Sequence, residues 1–168
     1  MATKKRAKVS ASNGRQMLRH TVATLAYRGG KALRGSPPGF SEFRVGSSTR
    51  TPGQILAHVG DLLDWGLSLA KGKRTWHNSD PQPWEEDTQR FFKALKAFDA
   101  FLASKAPLGC APEKLFQGPV ADALTHIGQI SMLRRLAAAP VRAENYLRAE
   151  ISAGRVGAKQ AAPKQEFD

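Results

Sequence analysis

Four segments of this sequence carry apolar residues at three- and four-residue steps, and the chain shows no strict alternation typical of half-buried strands. The segment 121–140 is the clearest case, because its apolar residues fall along one side of a helix. These residues are Ala123, Leu124, Ile127, Ile130, Leu133 and Leu136. Similar stripes occur in 16–33, 52–71 and 83–107. Without an internal repeat, this pattern predicts an all-α fold, a four-helix bundle.

Capping residues and prolines indicate where the helices begin and end. Thr51 offers a capping oxygen and Pro52 suits the first helical position. Pro83 precedes three acidic residues, which suit the positive end of a third helix. Pro119 is predicted to open the fourth helix and Pro140 to stop it.

The connections are long and rich in Gly, Pro and Ser, which permits crossovers instead of tight hairpins. In the first connection, Phe40 and Phe43 are expected to pack against the helices. The segment after Pro140 is open to two interpretations, a short helix or an extended strap. The final residues, from 158 onward, are expected to be disordered or loosely attached.

A chain of 168 residues with 41% hydrophobic and 24% charged residues has the composition of one soluble globular domain. We predict a basic flexible tail at 1–15, a helical domain at 16–154 and a C-terminal tail at 155–168. No apolar run has the length of a membrane span and no secretory signal is recognisable, so a cytoplasmic protein is expected. The single Cys110 excludes an internal disulfide and a cysteine zinc cage.

A formal net charge of +12 raises the question of nucleic-acid binding, because Lys and Arg gain affinity by neutralising phosphates. Five of the 26 basic residues lie in the first fifteen positions, where there is no acidic residue, and the remaining surplus is scattered. The distribution favours a solvated basic tail and argues against a nucleic-acid partner.

Two histidines and a carboxylate are the candidate functional residues. Asp122 and His126 are four residues apart on the predicted fourth helix, so they point the same way beside an apolar stripe. His58 has a similar setting in the second helix. Ligands from facing helices can form a metal site with an open position. The alternative is that Asp122 simply pairs with His126 or acts as a helix-dipole partner.

The stretches ILAHVGDLLDW (55–65) and DALTHIGQISMLRRLA (122–137) resemble the two ligand-bearing segments of the DinB/YfiT-like superfamily of four-helix metalloproteins. In that family, a histidine of helix two is joined by an H-x-x-x-H pair of helix four, followed by Gly-Gln. His58 matches the first position, and His126, before Gly128 and Gln129, matches the last. The resemblance covers roughly 16–140 and implies a fold with long crossover connections.

One ligand departs from the family pattern, since Asp122 stands where the family usually has histidine. A set of two histidines and one carboxylate admits Zn, Ni, Fe or Mn, so the identity of the divalent metal ion stays open. Gln129 is either a residue that orients a ligand or water or a helix–helix hydrogen-bonding group. Asp61 either orients the imidazole of His58 or acts as a base, or else, by ordinary burial statistics, it is a surface carboxylate.

The resemblance implies a metal-dependent enzyme, a thiol S-transferase or a hydrolase, in which the ion activates a low-molecular-weight thiol or water. It assigns no catalytic residue beyond the metal ligands. The alternative is a non-catalytic small-ligand-binding or stress-associated helical module, since fold does not decide function. Helix faces left free would also suit a homodimer.

Overall fold

The computed structural model describes the backbone of residues 2–167 and the side chains of residues 13–167. Most of this chain is helical, as the sequence predicted, with one small sheet of two strands. The helices are α1 (Ala2–Leu33), α2 (Pro52–Ala70), α3 (Trp84–Ala103), α4 (Pro112–Leu115) and α5 (Ala121–Leu136). A π-helical turn, Phe116–Val120, joins α4 to α5, and the strands are β1 (Ala143–Glu144) and β2 (Glu166–Phe167).

The long helices share one apolar core. Both α1 and α2 pack against α3 and against α5. The largest fully buried side chains come from all four helices, and they include Leu25, Leu56, Leu63, Phe91, Phe98 and Ile130. Because each such side chain contributes roughly 1.5–3 kcal/mol when it leaves water, this shared core fixes the helices that carry the candidate site.

The predicted start of α2 is confirmed. The hydroxyl of Thr51 accepts a hydrogen bond from the backbone N–H of Gln54, and the Gln54 side chain accepts one from the N–H of Thr51. Pro52 occupies the first turn, where its missing N–H costs nothing. This reciprocal cap fixes where the helix begins, and therefore which way His58 points.

The helical stretch that contains the last long helix begins earlier than the predicted start at Pro119. Pro112 takes the first position of α4, and Pro119, the predicted start, lies inside the helical stretch. It is tolerated because it falls in the wide π-helical turn, where the regular hydrogen-bond ladder is already interrupted. Pro119 is buried against Gly66 of α2, so packing also holds it in place.

The first helix also begins earlier than predicted, at Ala2 instead of near Gln16. The stretch 2–15 has no apolar stripe, yet Lys, Arg and Ala are strong helix formers and no proline interrupts them. The guanidinium of Arg15 donates hydrogen bonds to the backbone carbonyls of Ser104 and Ala106 beyond α3. This contact ties the end of the basic stretch to the helical core.

The segment after α5 is an extended strap, so the helical alternative is wrong for most of it. Lys31 of α1 forms ion pairs with Glu144 at 2.7 Å and with Glu166 at 2.6 Å. The hydroxyl of Tyr27 donates to Glu144, and Val156 is buried. The prediction of loosely attached final residues is therefore wrong, because β2 pairs with β1 and is held to α1.

The first connection packs as predicted. Phe40 is buried, its ring meets Trp84 edge-on at 5.4 Å between centroids, and Phe43 stacks on it. Among the described residues, no helix combines the length and apolar character needed to cross a membrane.

Candidate metal centre

The three predicted ligands come together where α2 faces the beginning of α5. Nε2 of His58 lies 4.0 Å from Oδ2 of Asp122, and the centroids of the His58 and His126 rings are 4.8 Å apart. One potential ligand atom from each residue lies within 4.8 Å of the other two. The side chains converge from two helices, and their role as metal ligands stays a prediction.

The orientation of Asp122 and His126 depends on the π-helical turn Phe116–Val120 that precedes them. A π-helical turn holds one residue more than an α-helical turn, which rotates the following side chains by about 100° around the axis. The direction of both side chains is therefore set by this turn and not only by their four-residue spacing.

His126 is held by its own helix. Its Nδ1 lies 2.9 Å from the backbone carbonyl oxygen of Asp122 and 3.1 Å from the Oδ1 of the same residue. Because both neighbours are acceptors, we assign the proton to Nδ1, so that Nε2 is the ring nitrogen that carries the lone pair. The predicted alternative, a direct Asp122–His126 pair, is thus also present in the structure.

His58 is partly buried, and its surroundings favour the neutral imidazole. Burial lowers its pKa below the usual 6.5, with further lowering from His126 and Arg50 that outweighs the opposing effect of Asp122 and Asp61. A neutral ring offers a lone pair at neutral pH, which metal binding requires.

Two tryptophan side chains lie beside His58. Trp76, from the connection before α3, meets the His58 ring edge-on at 5.8 Å between centroids and contacts Trp65 at 5.7 Å. Their contact makes them optical reporters placed beside the site.

The donor set fits a divalent cation. Ligand atoms bound at 2.0–2.2 Å in a tetrahedral site lie roughly 3.4 Å apart, so the observed separations need to close by an ångström or so. Asp122 can supply this movement, since 47% of its side-chain surface is exposed, whereas His126 is only 12% exposed and fixed. Two imidazoles and a carboxylate suit Zn, Ni, Fe or Mn.

Gln129 and Asp61 differ in where the structure places them. Gln129 is exposed on the wall of a cleft beside His126, where it faces solvent. Asp61 is buried at 2% exposure, so the surface-carboxylate interpretation is wrong. Its oxygens accept hydrogen bonds from Ser79 and Arg90, which gives it structural partners other than the His58 imidazole.

A second acidic group, made of Asp61, Asp64 and His77, was not predicted from the sequence. The guanidinium of Arg90 lies among these residues, with Nη2 at 2.6 Å from Asp61 and 2.9 Å from Asp64. The same nitrogen lies 3.2 Å from Nε2 of His77. The cationic guanidinium of Arg90 therefore already occupies this cluster. The cluster also anchors the connection that carries Trp76.

A cleft of about 460 Å³ adjoins the candidate centre at His126. Its lining residues are Thr49, Arg50, Ile55, His126, Gln129, Met132 and Leu133. Sequence reasoning missed Arg50, because a single arginine in a polar connection carries no periodic or motif signal. The cleft gives small molecules access to His126, one of the three converging residues.

Comparison with protein-family models, with curated proteins and with solved structures gave no match.

Proposed function

We propose that this chain is a DinB/YfiT-like four-helix-bundle protein that binds a divalent metal ion through His58, Asp122 and His126. We further propose that it is a metal-dependent enzyme of the thiol S-transferase or hydrolase type. A low-molecular-weight thiol is the substrate that the resemblance favours. The single observation that carries the proposal is the convergence of these three side chains from α2 and α5.

The environment of each ligand supports binding of a cation. Burial and the positive charge of Arg50 help to lower the pKa of His58 and so favour its neutral ring, and His126 is oriented by its bond to the Asp122 carbonyl. Asp122 brings negative charge and remains exposed. Two imidazoles and one carboxylate therefore offer potential ligand atoms within 4.8 Å of one another.

A bound divalent ion would supply Lewis acidity, lowering the pKa of a thiol or water that reaches its open position. The chain supplies the rest of the arrangement. Trp76 contacts the His58 ring edge-on, and the cleft beside His126 provides an approach to that residue. A substrate entering this cleft would therefore reach the proposed centre at His126.

Metal analysis tests the proposal. Protein without a polyhistidine tag is incubated with Zn²⁺, Ni²⁺, Fe²⁺ or Mn²⁺, desalted and analysed by mass spectrometry of the elements. Wild type should retain about one ion per chain, and His58→Ala and His126→Ala should lose it. His20→Ala is the matched control, because His20 is exposed on α1 and should leave the metal content unchanged. A wild type that retains none of the four metals would exclude the site.

The cleft itself favours the alternative of non-catalytic ligand binding, since it offers a binding volume whether or not chemistry follows. An activity assay distinguishes the enzymatic function from non-catalytic ligand binding. A panel of low-molecular-weight thiols with electrophilic acceptors, together with ester and amide substrates, is assayed with and without the retained metal. Metal-dependent product formation that is lost in His58→Ala supports the enzyme; binding without turnover across the panel supports the alternative.

A further inference from the structure

The cleft beside His126 is lined by one basic residue and by three apolar residues. The basic residue is Arg50, which directly precedes α2, whose N-terminal end adds positive potential. The apolar residues are Ile55, Met132 and Leu133. No acidic residue is among the lining residues of this cleft. This lining is complementary to a small molecule with an anionic group and an apolar body.

Arg50 is available to such a ligand. Within the described residues, its guanidinium has no hydrogen bond or ion pair with the protein, whereas Arg19 pairs with Asp99 and Arg90 with Asp61. A guanidinium without a protein partner can form two parallel hydrogen bonds to a carboxylate or phosphate.

The backbone on both sides of Arg50 is fixed. Thr49 is held by a hydrogen bond from Nη1 of Arg44 to its carbonyl oxygen at 3.1 Å. Thr51, on the other side, takes part in the reciprocal cap of α2. A base held between two anchored residues loses less freedom on binding than one on an untethered loop, which favours affinity.

We propose that this cleft binds a small organic anion, with Arg50 holding the anionic group and Ile55, Met132 and Leu133 contacting the apolar part. The inference rests on the proposed function in that it treats the cleft as the approach to the metal centre. It adds the substrate class, a carboxylate or phosphate monoester with an apolar chain. Arg50 is the residue that selects for charge.

Binding of matched probes tests this inference. Hexanoate, hexyl phosphate and the neutral isostere hexanamide are titrated into metal-free and Zn²⁺-loaded protein, and NMR shifts of the cleft residues give the dissociation constants. Wild type should bind at least one anion more tightly than hexanamide. Arg50→Gln should weaken anion binding about tenfold or more in both forms and leave hexanamide unchanged. The tighter of the two anions identifies the ligand group.

Arg135→Gln is the control, because Arg135 is exposed on α5, is outside the cleft lining and changes the net charge equally. Anion binding that is unaffected by Arg50→Gln, equal affinity for hexanoate and hexanamide, or no binding of any probe would overturn the inference. The metal-free arm separates the two proposals. Arg50-dependent binding in a protein that retains no metal keeps the inference and removes the metal centre. Metal retention together with anion binding that does not depend on Arg50 would keep the metal centre and overturn the inference.

Discussion

Nε2 of His58 lies 4.0 Å from Oδ2 of Asp122, while Oδ1 of the same carboxylate lies 3.1 Å from Nδ1 of His126. Asp122 therefore lies between two imidazoles, one on its own helix and one on α2. Without this carboxylate, the two imidazole rings would be neighbouring bases with no negative charge between them. The carboxylate brings negative charge to the group, which makes it suitable for a cation.

Asp122→Asn should weaken Zn²⁺ binding by more than about tenfold, because a neutral amide is a poorer ligand than a carboxylate. Asp122→His should retain the ion, since imidazole is an equally suitable ligand. Competition with a chromophoric chelator gives both affinities. Asp80→Asn, an exposed acid in the connection before α3, controls for the change in charge. Wild-type affinity in Asp122→Asn would show that this carboxylate is not a ligand.

Arg50→Gln should raise the pKa of His58, because it removes one of the positive charges that lower it. NMR titration of the histidine ring protons in metal-free protein measures the change. In the wild type, the folded protein binds fewer protons at His58 than the unfolded chain does near pH 6.5. Stability should therefore fall as pH drops from 6.5 through the lower folded pKa, and this dependence should weaken in Arg50→Gln. An unchanged pKa would show that Arg50 does not act on His58.

Arg90→Met should destabilise the fold by about 2 kcal/mol or more at pH 7, because it leaves the buried carboxylate of Asp61 without its cation. Burial alone would raise the pKa of Asp61, but hydrogen bonds from Arg90 and Ser79 lower it below the usual 3.8. This stabilisation is present above pH 3.8 and is lost as pH falls through the folded value.

Urea unfolding of wild type and Arg90→Met at pH 7 and pH 3 measures the difference. The gap should narrow at pH 3, because without Arg90 burial favours the protonated form of Asp61, and a protonated carboxyl needs no cation. Arg74→Met, in an exposed part of the connection after α2, should change stability little at either pH. A gap of the same size at both pH values would assign the loss to packing instead of charge.

Two glycines test the packing of α1 and α5. A Cβ at Gly29 would lie 2.5 Å from Cζ of the fully buried Phe91, so Gly29→Ala should cost about 1–3 kcal/mol. Gly128 is exposed on α5 with open space around it, so Gly128→Ala should stabilise by about 0.5–1 kcal/mol through helix propensity. Thermal unfolding compares the two. Changes in stability of equal size and sign in the two variants would contradict the close contact between Gly29 of α1 and Phe91 of α3.

Local sequence signals located α2 and α3 well. The start of α2 follows from Thr51 and Pro52, which act within one turn, and the start of α3 follows from Pro83 and the acids after it. The same kind of reasoning misplaced the last helix. Pro119 looks like a helix start in the sequence, but only the buried contact with Gly66 and the wide turn explain why it lies inside.

In the candidate site, too, the sequence predicted the placement of some residues and not of others. Helical spacing alone predicted that Asp122 and His126 share a face, because spacing along one helix fixes the relative direction of side chains. Helical spacing did not predict the burial of Asp61, because burial of this carboxylate depends on Arg90, which is distant in the chain, and on Ser79 of a connection. Neither partner is signalled by residues near Asp61 in the chain.

The sequence by itself determined the helical class, the extent of α2, the start of α3 and the three candidate ligands, because capping, propensity and periodicity act over a few residues. Only the tertiary structure decided that His58 lies near Asp122, that Trp76 contacts the His58 ring and that Arg50 lines the adjoining cleft. These relationships join residues from different elements. They depend on how helices and connections pack against one core, which no local pattern encodes.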